Sequence, residues 1–415
     1  MKFKKRHLET RLPNSGKRTL VLLTGARQTG KTTLAKKMYP DLRYINFDSI
    51  EDREKISEIK TADWGKTIGN AVIDEVQKEP IVFDKMKYAF DEQNISFSVL
   101  LGSSQILLLN KVSESLAGRV SIFEIFPLMI SELSCENGAI PPNPLLDFLL
   151  LNKNIEEILQ KTPSVLFGKE ESLKTDAQSF LLEWGGMPTL IHLQESERRK
   201  WIKDYEYTYL ERDLADLARL TDLHPFRTFQ KIASLRTGNL LNYSELARDT
   251  GMSVDTSRRY MEYLKLSYQV AFLRPYYKNI TSTLIKTPKI YWLDIGICRQ
   301  LSGYFGPING QIFETMVISE IYKWIKTKER QAEMYFYRTQ SGLEVDLLLQ
   351  TPQGVMGLEI KFSKKLAVKD AKNLKEIGTK LNKEWLGGIV VYDGNSIEKI
   401  GEPNIWAVPA WRLLS

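Results

Sequence analysis

The chain has 415 residues, 43% hydrophobic and 26% charged, with a net charge of +7 and a pI near 9.0. That is room for two or three domains with cores of their own, and it excludes disorder on a large scale. Cys135 and Cys298 are far apart and accompany three histidines, which excludes a disulfide framework and a structural zinc site, so any metal is expected on oxygen ligands. The start is basic, with Lys2, Lys4, Lys5, Arg6, Arg11, Lys17 and Arg18 against Glu9. Such an arm either attracts a polyanion such as nucleic acid or is simply solvated. It is followed by a short apolar strand and no cleavage-site pattern, and no run reaches the roughly 18 apolar residues of a membrane span, so no membrane association and a cytoplasmic location are expected.

From Thr19 to Leu34 the sequence reads TLVLLTGARQTGKTTL, which contains G-x-x-x-x-G-K-[ST]. Leu20 to Leu23 predict a buried strand and Thr32 to Met38 a helix, with a tight loop between them. Backbone N–H groups of Gly25, Ala26, Arg27, Gln28, Thr29, Gly30, Lys31, Thr32 and Thr33 are placed to cradle phosphates, Lys31 to reach the β and γ oxygens, and Thr32 to offer a hydroxyl to Mg²⁺. ATP with Mg²⁺ is the ligand this pattern implies. Arg43 to Phe47 predicts a second strand, and Asn70 to Gln77, NAVIDEVQ, an apolar strand ending in two acids. Asp74 would hold Mg²⁺ and Glu75 would polarise the attacking water, a pair that a hydrolase needs and many small-molecule kinases lack.

A further strand, Phe97 to Leu101, ends in Gly102, Ser103 and Ser104, small polar groups placed either to sense the γ-phosphate or to cap the helix beginning near Gln105. In ESLAGRVSIFEIFPL, Arg119 stands one residue before a strand over Val120 to Ile125. It resembles an arginine finger, which would act on a neighbouring copy's nucleotide in a homo-oligomer; a helix-terminal arginine favoured by the macrodipole is the other reading. These elements predict a P-loop core of the additional-strand type over 1–130, a three-layer α/β/α sheet of about five strands.

The pattern over 131–237 is helical and is expected to form a lid and connector, with Glu211, Arg212 and Asp213 as surface pairs. Residues 238–278 have the layout of a winged helix: a short helix, a turn at Gly251, a longer helix capped by Ser253, then a strand. Val254, Ser257, Met261 and Leu264 are expected to face its core, leaving Asp255, Thr256, Arg258 and Arg259 outward, with Arg258 and Arg259 as candidate DNA contacts. Over 279–415, GLEVDLLLQ and GLEIKF predict a hairpin with Glu344 and Asp346 on one face and Glu359 and Lys361 on one face. Asp346 with Glu359 and Lys361 resembles the site of PD-(D/E)XK nucleases, where two acids hold Mg²⁺ and the lysine orients water. Glu314, with Glu320 as its alternative, would add an acid from the preceding helix.

Taken together, the GARQTGKTT loop, VIDEVQ strand, GSSQ turn, SLAGR segment, KIYWLDIG stretch and the EVD and EIK pairs resemble one family over nearly the whole chain. It is that of the bacterial and archaeal AAA+ ATPases carrying a C-terminal domain related to PD-(D/E)XK nucleases. The resemblance implies Mg-ATP binding and hydrolysis at Lys31, Thr32, Asp74 and Glu75, and a metal site at Asp346, Glu359 and Lys361. Arg27 and Gln28 depart from the commonest form of the loop. Two functions compete: an ATP-driven switch acting on DNA, and an ATP-dependent protein whose C-terminal modules are inert platforms for a protein partner.

Overall fold

A computed structural model describes residues 3–102, 114–210, 223–276, 287–339 and 342–415. The N-terminal sheet contains β1 (Thr19–Thr24), β2 (Arg43–Asn46), β3 (Ala71–Asp74), β4 (Phe97–Gly102) and β5 (Val120–Glu124), all parallel, in the order β2-β3-β4-β1-β5. β4 therefore lies between the strand that precedes the phosphate loop and the strand that ends in two acids. β1 and β4 are buried at every residue, as apolar runs become when helices cover both faces. The strand period divides them: Leu20 and Leu22 pack with Phe83 and Met86 of α2 (Ile81–Asp91), and Val21 and Leu23 with Leu34 and Ala35 of α1 (Lys31–Met38). The strands end together at Thr24, Asp74 and Gly102. Ser103, Ser104 and Gln105 lie outside the described residues, as do Glu211, Arg212 and Asp213.

The helices of 131–237 divide between two cores. Those at Leu145–Leu151 and Ile155–Lys161, with most of α3 (Lys169–Trp184), join the core of the C-terminal sheet. α4 (Glu195–Tyr205) and α5 (His224–Leu235) instead bury Ile202, Tyr205, Phe226 and Phe229 against α6 (Tyr243–Thr250) and α7 (Val254–Leu266). Asn242 caps α6, Gly251 ends it at φ 68°, and Ser253 caps α7. On α7, Ser257, Tyr260, Met261 and Leu264 are buried, but Val254, expected inward, is 36% exposed, because the first helical residue projects beyond the packed turns.

β6 (Val270–Pro275) pairs with β7 (Lys289–Trp292) through Val270–Leu273 and then with β8 (Glu333–Arg338) at Arg274 and Pro275. The hairpin thus straddles the division expected at residues 278 and 279 and forms one edge of an eight-stranded sheet. The remaining strands are β9 (Glu344–Thr351), β10 (Gly354–Lys361), β11 (Trp385–Tyr392), β12 (Glu398–Gly401) and β13 (Ile405–Pro409), in the order β12-β13-β11-β10-β9-β8-β6-β7. In the KIYWLDIG stretch, buried Asp294 caps α8 (Ile295–Ser302) through the Ile297 N–H and accepts the Gly186 N–H at 2.8 Å, which ties the end of α3 to the sheet. α9 (Gly310–Lys328) covers one face with Phe313, Met316 and Ile321, and α10 (Lys372–Leu381) the other with Leu374, Ile377 and Leu381. β8, β9 and β10 are antiparallel neighbours, and α10 crosses over to β11, which runs parallel to β10.

The basic arm is folded onto the protein. Lys4 donates to the carbonyls of Leu133 and Cys135, Arg18 to the carbonyl of Phe90 at 2.7 Å, and Arg11 pairs with Glu329. Arg6 is buried, with its guanidinium on Glu132 and on the carbonyls of Thr29 and Phe126. These four cations have intramolecular partners, so the arm is neither a solvated tail nor wholly available to a polyanion. Among the described residues, no helix is long and apolar enough to cross a membrane.

Candidate functional site

The phosphate loop follows β1 and ends as the N-terminus of α1. Gly25 has φ 154°, and a Cβ there would lie 2.2 Å from the Ile125 carbonyl; Gly30, at φ 97°, is the N-cap of α1 in a conformation costly for any residue with a Cβ. The loop is braced from several sides. Thr29 Oγ1 donates to the Ala26 carbonyl, Arg6 to the Thr29 carbonyl at 3.0 Å, and Tyr205 of α4 to the Arg27 carbonyl at 3.1 Å. Tyr268, two residues beyond α7 and at φ 60°, donates to Glu124 and Thr24, the residue before Gly25. Lys31 folds over the loop, its Nζ 2.9 Å from the Gly25 carbonyl and 2.8 Å from the Ala26 carbonyl.

Opposite Lys31, Asp74 ends β3. Its Oδ2 accepts from Thr32 Oγ1 at 2.6 Å and from the Tyr44 hydroxyl at 2.9 Å, and its Oδ1 accepts the Glu75 N–H. Thr32 and Asp74 thus present two hard oxygen donors side by side, which suits Mg²⁺. Burial raises the Glu75 carboxyl above its ordinary range, opposed by Arg27 and Lys31. Lys31, Thr32, Asp74 and Glu75 line one cavity of about 570 Å³. Its outer wall is Phe3 and Arg6 of the arm, Leu128, and Pro188, Ile191 and His192 of a 3₁₀ turn. The helical patterns give no sign of that wall, because residues from three distant segments meet only in the fold. Tyr44 and Gln77, which contact the two acids, do carry a local signal: each is a polar residue within three positions of the end of a strand in the same sheet as β1.

Arg119 stands at the opposite end of the sheet from the loop: Val120 aligns with Leu20, whereas Glu124 aligns with Thr24. It makes a bidentate pair with Asp91, at 2.6 and 2.8 Å. On α7, Arg258 and Arg259 are both exposed, the former stacked on Tyr243 at 4.8 Å.

The C-terminal acids meet where α9 crosses β9 and β10. Asp346 Oδ2 accepts the Ile360 N–H at 2.8 Å, and Lys361 Nζ lies 2.8 Å from Glu359 Oε1. Glu359 is buried and its Oε2 has no hydrogen-bond partner. Burial, then the charge of Asp346, raises the Glu359 carboxyl to about 8 and that of Glu314 to about 7. Glu314 accepts from the Tyr291 hydroxyl at 2.6 Å. Glu320, about one and two-thirds turns further along α9, is elsewhere: it is buried against Lys323 and accepts the Ile130 N–H, a structural role. Lys289, buried and 2.8 Å from Glu344, completes the cluster. It and Tyr291 lie two apart on one strand, a spacing that could have marked them. Among the described residues, no three His, Cys, Asp or Glu side chains form a cage for a metal ion. Asp346 and Glu359 are thus a partial donor set, and the orphaned Glu359 oxygen fits a cation that draws further ligands from water or substrate.

Residues 17–134 match the family model described as AAA domain. The N-terminal third of the chain is thus similar to AAA domains. Beyond this segment, residues 175–307 and 309–413 match two domains of unknown function, DUF8612 and DUF4143. An uncharacterized protein of Mycobacterium tuberculosis is 27% identical over 352 residues, 82% of this chain and 70% of its own length. One of Methanocaldococcus jannaschii is 23% identical over 414 residues, 92% of this chain and 82% of its own. A solved structure, a Walker-type ATPase of Pyrococcus abyssi, is 14% identical with a TM-score of 0.42, covering 72% of this chain and 96% of that one.

Proposed function

We propose that the protein binds and hydrolyses Mg-ATP and uses the cycle to drive a switch that acts on DNA. The observation that carries the first half is the convergence of Lys31, Thr32, Asp74 and Glu75 on one cavity, with the Thr32 hydroxyl 2.6 Å from Asp74. Thr32 and Asp74 would hold Mg²⁺, which supplies charge neutralisation at the β and γ oxygens. In this reading, ATP draws Lys31 from the loop carbonyls to its phosphates, the N–H groups at the start of α1 take the oxygens, and Glu75 receives a proton from the attacking water. Arg119 lies too far along the sheet to serve its own nucleotide, which supports action on a neighbouring copy in a homo-oligomer.

The second half rests on the modules beyond. α5, α6 and α7 followed by the β6–β7 hairpin have the order of a winged helix, and α7 presents Arg258 and Arg259 outward. The order α9, β8, β9, β10, α10, β11, with Glu314, Asp346, Glu359 and Lys361 at its acidic cluster, supports a PD-(D/E)XK-like domain. One observation favours the alternative, a protein partner on inert platforms: Lys4, Arg6, Arg11 and Arg18 are engaged within the molecule, which weakens the electrostatic draw on DNA.

The test is steady-state ATP hydrolysis with and without duplex DNA for wild type, Glu75→Gln and Asp346→Ala/Glu359→Ala, with the DNA followed on a gel. DNA-stimulated turnover lost in Glu75→Gln, with cleavage lost only in the double variant, is the expected result. Turnover indifferent to DNA, with no binding at low salt, sinks the DNA half and leaves the protein-partner reading.

A further inference from the structure

The turn after β3 is short and held at both ends. Glu75 sits at φ 54°, ψ 39°, a left-handed conformation costly for a residue with a Cβ, and starts a single 3₁₀ turn, Val76–Lys78. Val76 is fully buried in the core beneath the sheet, Lys78 pairs with Asp48, and the Lys78 N–H closes the turn on the Glu75 carbonyl at 3.0 Å. Gln77 is caught between these anchors. Its Nε2 donates to Glu75 Oε2 at 2.6 Å, a short contact to a charged acceptor, while its Oε1 is buried with no hydrogen-bond partner. A residue present only to fill the turn would not bear the desolvation of an unpaired carbonyl. The side chain is there for its N–H.

We propose that Gln77 is the positioning residue for the general base of this ATPase. The inference rests on the hydrolysis reading. Gln77 does not line the nucleotide cavity, whereas Glu75 does, so it acts through Glu75. By holding Oε2, it fixes the carboxylate rotamer and leaves Oε1 for water. Water oxygen then bonds to the γ-phosphorus as the bond from phosphorus to the β,γ-bridging oxygen breaks; ADP leaves with that electron pair and the water proton passes to Glu75. A carboxylate free to swing spends most of its time misplaced, and a misplacement of about 1 Å costs roughly 100-fold.

The experiment uses the full chain and reads kcat, KM for Mg-ATP, and the Kd of a fluorescent ATP analogue. Gln77→Ala is expected to lower kcat about 10- to 100-fold with analogue affinity within about twofold of wild type. Gln77→Glu, equal in size but with an acceptor in place of the donor, is expected to fall at least as far, and it keeps the test open if the alanine variant does not fold. In single-turnover measurements, Gln77→Ala added to Glu75→Gln is expected to cost nothing further, since the group it positions is gone. An unchanged or raised kcat in Gln77→Ala overturns the proposal, as do multiplying losses in the double variant or affinity falling in step with kcat. Turnover that needs Glu75 but ignores Gln77 overturns this inference alone. Absence of any Glu75-dependent turnover overturns it together with the hydrolysis reading.

Discussion

Asp74 and Asp346 both stand on β-strands beside other acids, yet their surroundings differ. Asp74 accepts from Thr32, Tyr44 and the Glu75 N–H, and its acidic neighbour is opposed by Arg27 and Lys31. Asp346 accepts one backbone N–H and shares its space with Glu314 and Glu359, two carboxyls pushed far above the ordinary range. The N-terminal site is thus organised around donors and a lysine, which suits an anion. The C-terminal site holds more acid than its two lysines balance, which favours a proton or a cation.

The largest effect that tests the contrast is at Glu75. Glu75→Gln should cut ATP turnover by about 10²- to 10⁴-fold while leaving nucleotide affinity nearly intact, read by steady-state kinetics and analogue binding. Arg119→Ala should lower turnover by about 10²-fold or more and abolish any rise in specific activity with protein concentration. Equal activity for the variant at every concentration would remove the in-trans role.

At the acidic cluster the signs reverse. A carboxyl raised to about 8 holds its proton when folded, so its stabilising contribution is present below the ordinary carboxylate pKa and is lost as pH rises through about 8. Glu359→Gln should therefore be more stable than wild type at pH 8 by about 1–3 kcal/mol, read from melting profiles, with the gap closing by pH 5. Mn²⁺ should raise the melting temperature of wild type and not of the variant; equal shifts in both would refute the cation reading.

A smaller effect lies in the arm that braces the phosphate loop. His7 is buried beside Ser131, and burial lowers its pKa to about 4. The unfolded chain takes up the proton first, so this stability is present above about 6.5 and lost as pH falls toward 4. His7→Gln should flatten that part of the melting profile, a difference of about 2 kcal/mol between pH 7 and pH 4.5.

The sequence by itself determined the phosphate loop, the Asp74–Glu75 pair and the β9–β10 hairpin, because each is a local pattern: glycines where the backbone needs them, and polar residues at the end of an apolar strand or alternating along it. Gly251 and Ser253 were legible for the same reason, since a helix end is satisfied by its own neighbours. Val254 was misread because period alone does not say where packing against a helix stops, and the folding of Arg6 onto Glu132 was not legible because charge alone does not reveal a buried partner. Only the tertiary structure decided that Arg6 and Tyr205 brace the loop, that the hairpin after α7 is the edge of the C-terminal sheet, and that Glu314 rather than Glu320 joins Asp346 and Glu359. Those outcomes depend on contacts between residues 23 to 178 positions apart in the chain or on the rotation of one helix over a sheet, and burial and side-chain geometry settle both only once the chain is packed.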